Sequence, residues 1–292
     1  MLIFSKHKIL LGGIVLAALM LGVAVYVFNN KPTVAPEPEP IVEVIPDPQV
    51  KIIGKSVQGR NIESYTYGKG GTHLVFVGGV HGGYEWNSVV LAYQMMDHLK
   101  ANPDVMPANL KVTIIPSLNP DGVFAVIGKE GRFAAVDVPK RDHSAGRFNA
   151  NNVDLNRNFD CNWKPTSTWR SKPVSAGTKV FSEPEAVAFR DFILVDEPTA
   201  VVFWHSQANT VYASECNQGI AEQTIDIMNA YAKAAKYSAA KTFDAYAITG
   251  DADGWLASIN IPAITVELKT HETIEFQQNL AGVKALFEYY GK

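Results

Sequence analysis

The chain has 292 residues, 47% of them hydrophobic, and a formal net charge of −3. That is enough for one sizeable core, and the mild acidity without any Lys/Arg cluster gives no footing for nucleic-acid binding. With only two cysteines, Cys161 and Cys216, a cysteine-rich zinc site is excluded; the two are free either to pair in an oxidising compartment or to stay as buried thiols.

Residues 1–8 form a short basic flank ending in Lys6-His7-Lys8, and Ile9 to Phe28 follows as twenty residues without a charge. This pattern predicts one transmembrane helix over 9–28, with the N-terminus in the cytoplasm and the rest of the chain outside. The alternative is a signal peptide cleaved near Gly22-Val-Ala24, which makes the protein secreted. No cysteine follows the run, so a lipid anchor is excluded. Residues 29–49 hold six prolines among Glu37, Glu39, Glu43 and Asp47. Such a segment cannot bury a core and reads as an extended stalk, leaving 50–292 as the folded domain.

Within that domain, Lys51-Ile-Ile and Ile62 to Tyr67, joined through Gln58-Gly59, predict a hairpin. His73 to Gly78 is a buried strand, Trp86 to Leu99 a helix with Val89, Val90, Tyr93, Met96 and Leu99 on one side, and Lys111 to Pro116 a strand. Asn119-Pro-Asp-Gly122 reads as a turn from its composition. Ser182-Glu-Pro-Glu185 opens a helix to Leu194. Then come a strand at Ala200–Trp204, a helix at Ala221–Lys236, a strand at Ile264–Val266 and a closing helix from Thr273 to Tyr290. Strands alternating with helices predict a single α/β domain, its mixed sheet parallel at the centre and flanked by helices, with the site beyond the strand C-termini.

Glu267 is the one charge in the apolar run Ile261 to Leu268. A carboxylate at the end of a buried strand carries a heavy desolvation cost unless something nearby uses it. His81 and His205 fall at the ends of two other strands, and Glu85 shares the loop of His81, where Gly82-Gly83 lets the backbone turn tightly. Two histidines and a glutamate, with water in an open fourth position, make a common hydrolytic zinc site. Of the remaining histidines, His73, His98 and His143 lack such partners, while His271, four residues beyond Glu267, keeps open a role near the pocket.

His81 and Glu85, Asn119-Pro-Asp-Gly122, Asp154-Leu-Asn156-Arg157-Asn-Phe159, His205-Ser206, Tyr246 with Gly250 and Trp255, and Glu267 occur in this order. Over residues 51–292 the chain thereby resembles the zinc carboxypeptidase family (carboxypeptidase A-like), in particular its murein-peptide amidase type. The resemblance implies one Zn²⁺ per chain held by His81, Glu85 and His205, with Asp154 orienting the first histidine. It implies Asn156 and Arg157 as the grip on a substrate's terminal carboxylate, a role that suits the guanidinium fork. Arg147, ahead of Arg132 and Arg141, is implied to polarise the scissile carbonyl, and Tyr246 to close over bound substrate. Glu267 is implied as the general base that takes a proton from zinc-bound water and returns it to the leaving amine. One departure stands out: the family motif is His-x-x-Glu, whereas three residues separate His81 from Glu85, and the extra glycine is expected to bulge.

The partner this implies is a peptide with a free C-terminal carboxylate. In the family the Tyr246-to-Trp255 segment reads the terminal side chain, and here it carries Asp251 and Asp253. These predict an amine-bearing terminal residue (Lys, Arg or diaminopimelate), on peptidoglycan stem peptides among others; the competing reading is two turn formers beside Gly250 and Gly254. Two other functions fit parts of the pattern. One is a zinc-dependent N-acyl amino acid deacylase, against which the Tyr246 loop speaks; the other is an inactive surface-binding module, which should have lost a ligand or the base.

Overall fold

In a computed structural model the chain divides into two units, residues 1–44 and 45–292. The structure describes Met20–Gly22, Tyr26 and residues 48–292. Most of the membrane span expected at 9–28 and nearly all of the stalk lie outside the described residues, among which no helix is long and apolar enough to cross a membrane.

The second unit is built on an eight-stranded mixed sheet. Its strands are β1 (Gln49–Lys55), β2 (Asn61–Tyr67), β3 (Thr72–Val77), β4 (Leu110–Ile115), β7 (Ala200–Ser206), β8 (Thr210–Ala213), β9 (Ser238–Ala240) and β10 (Ala263–Leu268). They lie in the order β1-β2-β4-β3-β7-β10-β8-β9. The inner strands β4, β3, β7 and β10 are parallel, and β2 and β8 flank them antiparallel. A separate hairpin, β5 (Thr166–Trp169) with β6 (Lys172–Ser175), stands off the sheet. The expected centrally parallel, mixed sheet is therefore present.

Period-two alternation explains how the sheet is covered on both sides, since neighbouring strand residues point to opposite faces. Leu74, Phe76, Val202, Trp204, Ile264 and Val266 pack on one face against α1 (Trp86–Ala101), α4 (Glu222–Ala235) and α6 (Phe276–Tyr290). Val75, Val77, Val201, Phe203 and Ala263 pack on the other against α3 (Pro184–Asp196) and α5 (Ala252–Ser258). Trp204 stacks on Phe76 with ring centroids 5.3 Å apart, and its indole N–H donates to the Tyr231 hydroxyl at 3.1 Å, so the buried polar atom is satisfied.

Two expectations need correction. Asn119-Pro-Asp-Gly122 is the start of helix α2 (Pro120–Ile127) rather than a turn. Asn119 Oδ1 accepts from the Gly122 amide at 2.8 Å and Pro120 occupies the first turn, which is N-cap chemistry written in turn residues. The closing helix begins at Phe276 rather than Thr273, because Glu275 adopts φ +38, a left-handed conformation that no helix continues through.

Candidate active site

The loop after β3 decides the geometry. Gly82–Glu85 is a 3₁₀ turn, and Gly82 has φ +46. A Cβ there would sit 2.6 Å from the Gly146 carbonyl oxygen, so only glycine fits. The turn absorbs the additional residue of the His81–Glu85 spacing and brings both side chains to His205 at the end of β7. One ligand atom from each of the three lies within 4.8 Å of the others, and all three residues are 3–4% exposed. Two imidazoles and one carboxylate are a zinc donor set. Nδ1 of His81 is buried without a hydrogen-bond partner among the described residues. Burial, then Arg147, holds the His81 pKa well below the ordinary range. A neutral imidazole is the metal-binding form, and the residues fit zinc.

Asp154 is fully buried and plays two parts. Its Oδ1 lies 3.5 Å from His81 Nδ1, while Oδ2 accepts from Arg147 Nε at 3.1 Å and Nη2 at 2.8 Å. Arg147 is thus clamped with Nη1 3.8 Å from Glu85 Oε1, at the edge of the metal ligands. The competing arginines are elsewhere: Arg132 pairs with Asp97 at the surface, and Arg141 donates to the Val126 carbonyl.

Glu267 faces His205 across the parallel β7–β10 pair, register partner to register partner. Equal register on adjacent strands points both side chains from the same sheet face. Burial, then Glu85, pushes the Glu267 pKa up to about 7, against His205 and Arg147, which pull it down. All these groups line one cavity of about 500 Å³.

The same cavity collects the residues expected to hold substrate: Asn156, Arg157, Tyr246, Asp251 and Asp253. Arg157 is 2% exposed and donates to the carbonyls of Asn156 and Thr168, while its Nε has no partner among the described residues. Asn156 Oδ1 accepts from the Ala252 amide at 3.0 Å, joining its turn to α5. Tyr246 packs against Phe243 with centroids 4.8 Å apart. The two aspartates are neighbours with different further partners. Asp251 caps α5, accepting from the Gly254 amide at 3.0 Å, and burial, then Asp253, raises its pKa well above the ordinary range. Asp253 Oδ2 accepts from Thr265 Oγ1 at 3.1 Å, and its carboxylate also pairs with the Asp251 carboxyl.

Other wall residues carried little signal in the sequence. Cys161 and Cys216 form a disulfide across 55 residues, and both border the cavity. On chain-entropy grounds, replacing both by serine is expected to lower unfolding free energy by roughly 2–4 kcal/mol, read as a shifted denaturant midpoint; an unmoved midpoint refutes it. Tyr84, Trp169, Ser206 and His271 also line the cavity. His271 was marked only by lying near Glu267, and burial lowers its pKa.

Comparison with known proteins agrees with this geometry. Residues 44–283 match the zinc carboxypeptidase family model. Mouse carboxypeptidase M is 33% identical over 120 residues, 37% of this chain and 25% of that protein. Gamma-D-glutamyl-L-diamino acid endopeptidase 1 of Lysinibacillus sphaericus is 22% identical over 240 residues, 74% of this chain and 59% of that protein. The chain thus spans about a quarter to three fifths of the length of these curated relatives. Among solved structures, murein-tripeptide amidase MpaA from Escherichia coli O157 superposes with a TM-score of 0.59 at 23% identity, over 82% of this chain and 93% of that one, a likeness of fold. With that family's model matched across nearly the whole second unit and three residues that could hold a metal converged in one buried cluster, the chain belongs to the zinc carboxypeptidase family.

Proposed function

We propose that the protein is a zinc peptidase that removes the C-terminal residue of a peptide, preferring one whose side chain bears an amine. The observation that carries this reading is Glu267 at the register of His205, in the same cavity as the His81–Glu85–His205 cluster and the uncommitted Nε of Arg157. Zinc held there supplies a Lewis acid that polarises a carbonyl and acidifies water.

The chain's own residues supply the rest. Arg157 and the amide of Asn156 anchor the terminal carboxylate, and Arg147, held by Asp154, donates to the scissile carbonyl oxygen as negative charge grows on it. Glu267 takes the proton of the attacking water at its carboxylate and delivers it to the departing amine. Tyr246, on the loop before α5, covers the bound peptide. Asp253 receives the side-chain ammonium of the terminal residue; Asp251, committed to capping α5, shapes that wall.

A base must be unprotonated to act, so kcat/KM is expected to fall on the acid side. Glu267 lies between its ordinary 4.5 and about 7, with bound zinc drawing it toward the lower value. The acid limb should therefore sit in that window and vanish in Glu267→Gln. A wild-type rate independent of pH from 4.5 to 7 speaks against this assignment.

The site also fits a tethered, extracytoplasmic location. Support comes from the uncharged run 9–28 and the Pro-rich segment after it in the sequence, and from the cystine, a bond that persists in oxidising compartments. The MpaA and endopeptidase likenesses favour peptidoglycan stem peptides as substrates. Assays on matched peptides ending in Lys, Phe and diaminopimelate test the reading: an amine-bearing end is expected to win, and a preference for Phe overturns it.

A further inference from the structure

The loop that carries His81 and Glu85 is one residue longer than the His-x-x-Glu spacing, and a longer loop has more ways to misplace its ligands. Ser88, fully buried in the first turn of α1, closes it. Its Oγ accepts from the Gly79 amide at 3.0 Å and donates to the Glu85 carbonyl at 2.7 Å. Both ends of the loop are thus joined at one hydroxyl.

The neighbouring Asn87, also fully buried, ties that closed loop to the other strands of the site. Its Nδ2 donates to the carbonyls of Thr270 at 2.6 Å and Thr273 at 2.9 Å, and its Oδ1 accepts from the Ser206 hydroxyl at 3.0 Å. Carbonyls can only accept, so the amide fits in one orientation. Each partner adjoins a functional residue. Ser206 follows His205 directly, Thr270 lies three residues past Glu267, and Asn87 itself is two past Glu85. The Ser206 amide donates to Glu85 Oε2 at 3.2 Å, which completes a ring from Glu85 through Asn87 and Ser206 back to the Glu85 carboxylate. Ser206 Oγ also lies 2.7 Å from His271 Nδ1, so the same network reaches the turn at 270–273 twice.

That turn does not need Asn87 in order to form. Thr270 Oγ1 already accepts from the amides of Glu272 and Thr273, both at 3.0 Å, and both of those residues are exposed. What Asn87 adds is the place of the turn relative to the metal ligands. Moving any one of the three segments would leave a buried polar group unpaired, which is costly, so the three are held in step.

We propose that Asn87 is a positioning residue of the active site: acting through Ser206 and the turn after β10, it sets the separation of Glu85 and His205 for zinc and keeps Glu267 aligned with them. The proposal rests on the zinc site and the peptidase reading above, and it adds a residue that does not itself line the cavity.

The test measures zinc Kd by chelator competition in the wild type, Asn87→Ala, Ser206→Ala and the double variant, each first shown to melt cooperatively without metal. Each single variant is expected to weaken zinc binding about 10–100-fold, the usual cost of losing a group behind the ligands. The double variant should fall short of the product of the two effects, because both changes remove the same hydrogen bond. On a Lys-ended peptide at saturating zinc, kcat of Asn87→Ala should drop about tenfold or more. KM should stay within about twofold, since Asn156, Arg157 and Asp253 hold the substrate from other segments. A residue that only supports the fold would lower the melting temperature of metal-free Asn87→Ala and leave its zinc Kd unchanged. That result overturns the proposal, as does a double variant that reaches the full product. Should Asn87→Ala not fold, Ser206→Ala decides: an unchanged zinc Kd refutes the link and a weakened one supports it. A wild type that binds zinc but cleaves no Lys-ended peptide counts against the peptidase reading instead, and the zinc measurements still judge Asn87.

Discussion

Glu267→Gln is expected to lower kcat on a Lys-ended peptide by roughly 10²–10⁴-fold while one zinc per chain remains bound. Glutamine keeps the size and shape of the side chain but cannot accept and return a proton. The metal should stay because the three residues that could hold it are His81, Glu85 and His205, and Glu267 stands one strand away from His205. Loss of zinc along with activity would instead make Glu267 a ligand, and retention of activity would remove it from the mechanism. The variant has a second signature in metal-free protein. Burial lifts the Glu267 pKa from 4.5 to about 7, so the folded chain holds a proton that the unfolded chain releases in that interval. This contribution to stability is complete below pH 4.5 and is lost as the pH rises through 7. The melting temperature of the metal-free wild type should show that decline, and Glu267→Gln should flatten it.

The second large effect is expected at Asp253. Truncating one member of a buried charge pair costs about 2–5 kcal/mol, so Asp253→Asn should reduce kcat/KM on Lys-ended peptides by roughly 30-fold to several thousand-fold. Peptides ending in Phe should be unaffected or improved, because asparagine can still accept from Thr265 Oγ1 and the wall keeps its shape. The neighbouring aspartate supplies a contrast within the same segment. Asp251 accepts from the Gly254 amide besides pairing with Asp253, so Asp251→Ala should cost about 1 kcal/mol of stability as a lost N-cap and change the Lys-to-Phe ratio less than Asp253→Asn does. An unchanged ratio in Asp253→Asn would return that residue to the status of a turn former.

Much of the site was legible because metal ligation and strand-end placement leave local marks. His81 with Glu85, and His205 and Glu267 at the ends of apolar runs, declare themselves within a few residues each. The extra residue between His81 and Glu85 looked like a distortion, and only the packing of Gly82 against Gly146 explains why it is tolerated. The Asn119-Pro120 pair misled because a helix N-cap and a turn ask for the same side chains, and the local sequence contains nothing that separates them. Helix α5 hid inside a glycine-rich stretch that read as loop. The hydrogen bonds that join His271 to Ser206 and Ser206 to Asn87 were out of reach altogether, because they link residues 65 and 119 positions apart.

The cystine between Cys161 and Cys216 has a meaning beyond stability. It ties the segment just after Arg157 to the segment just after β8, and both ends face the cavity. A wall stitched in this way does not have to be assembled by the peptide that enters, so less of the interaction free energy is consumed in ordering the protein. The bond thus acts as a fixed jaw for the proposed closure of Tyr246 over substrate.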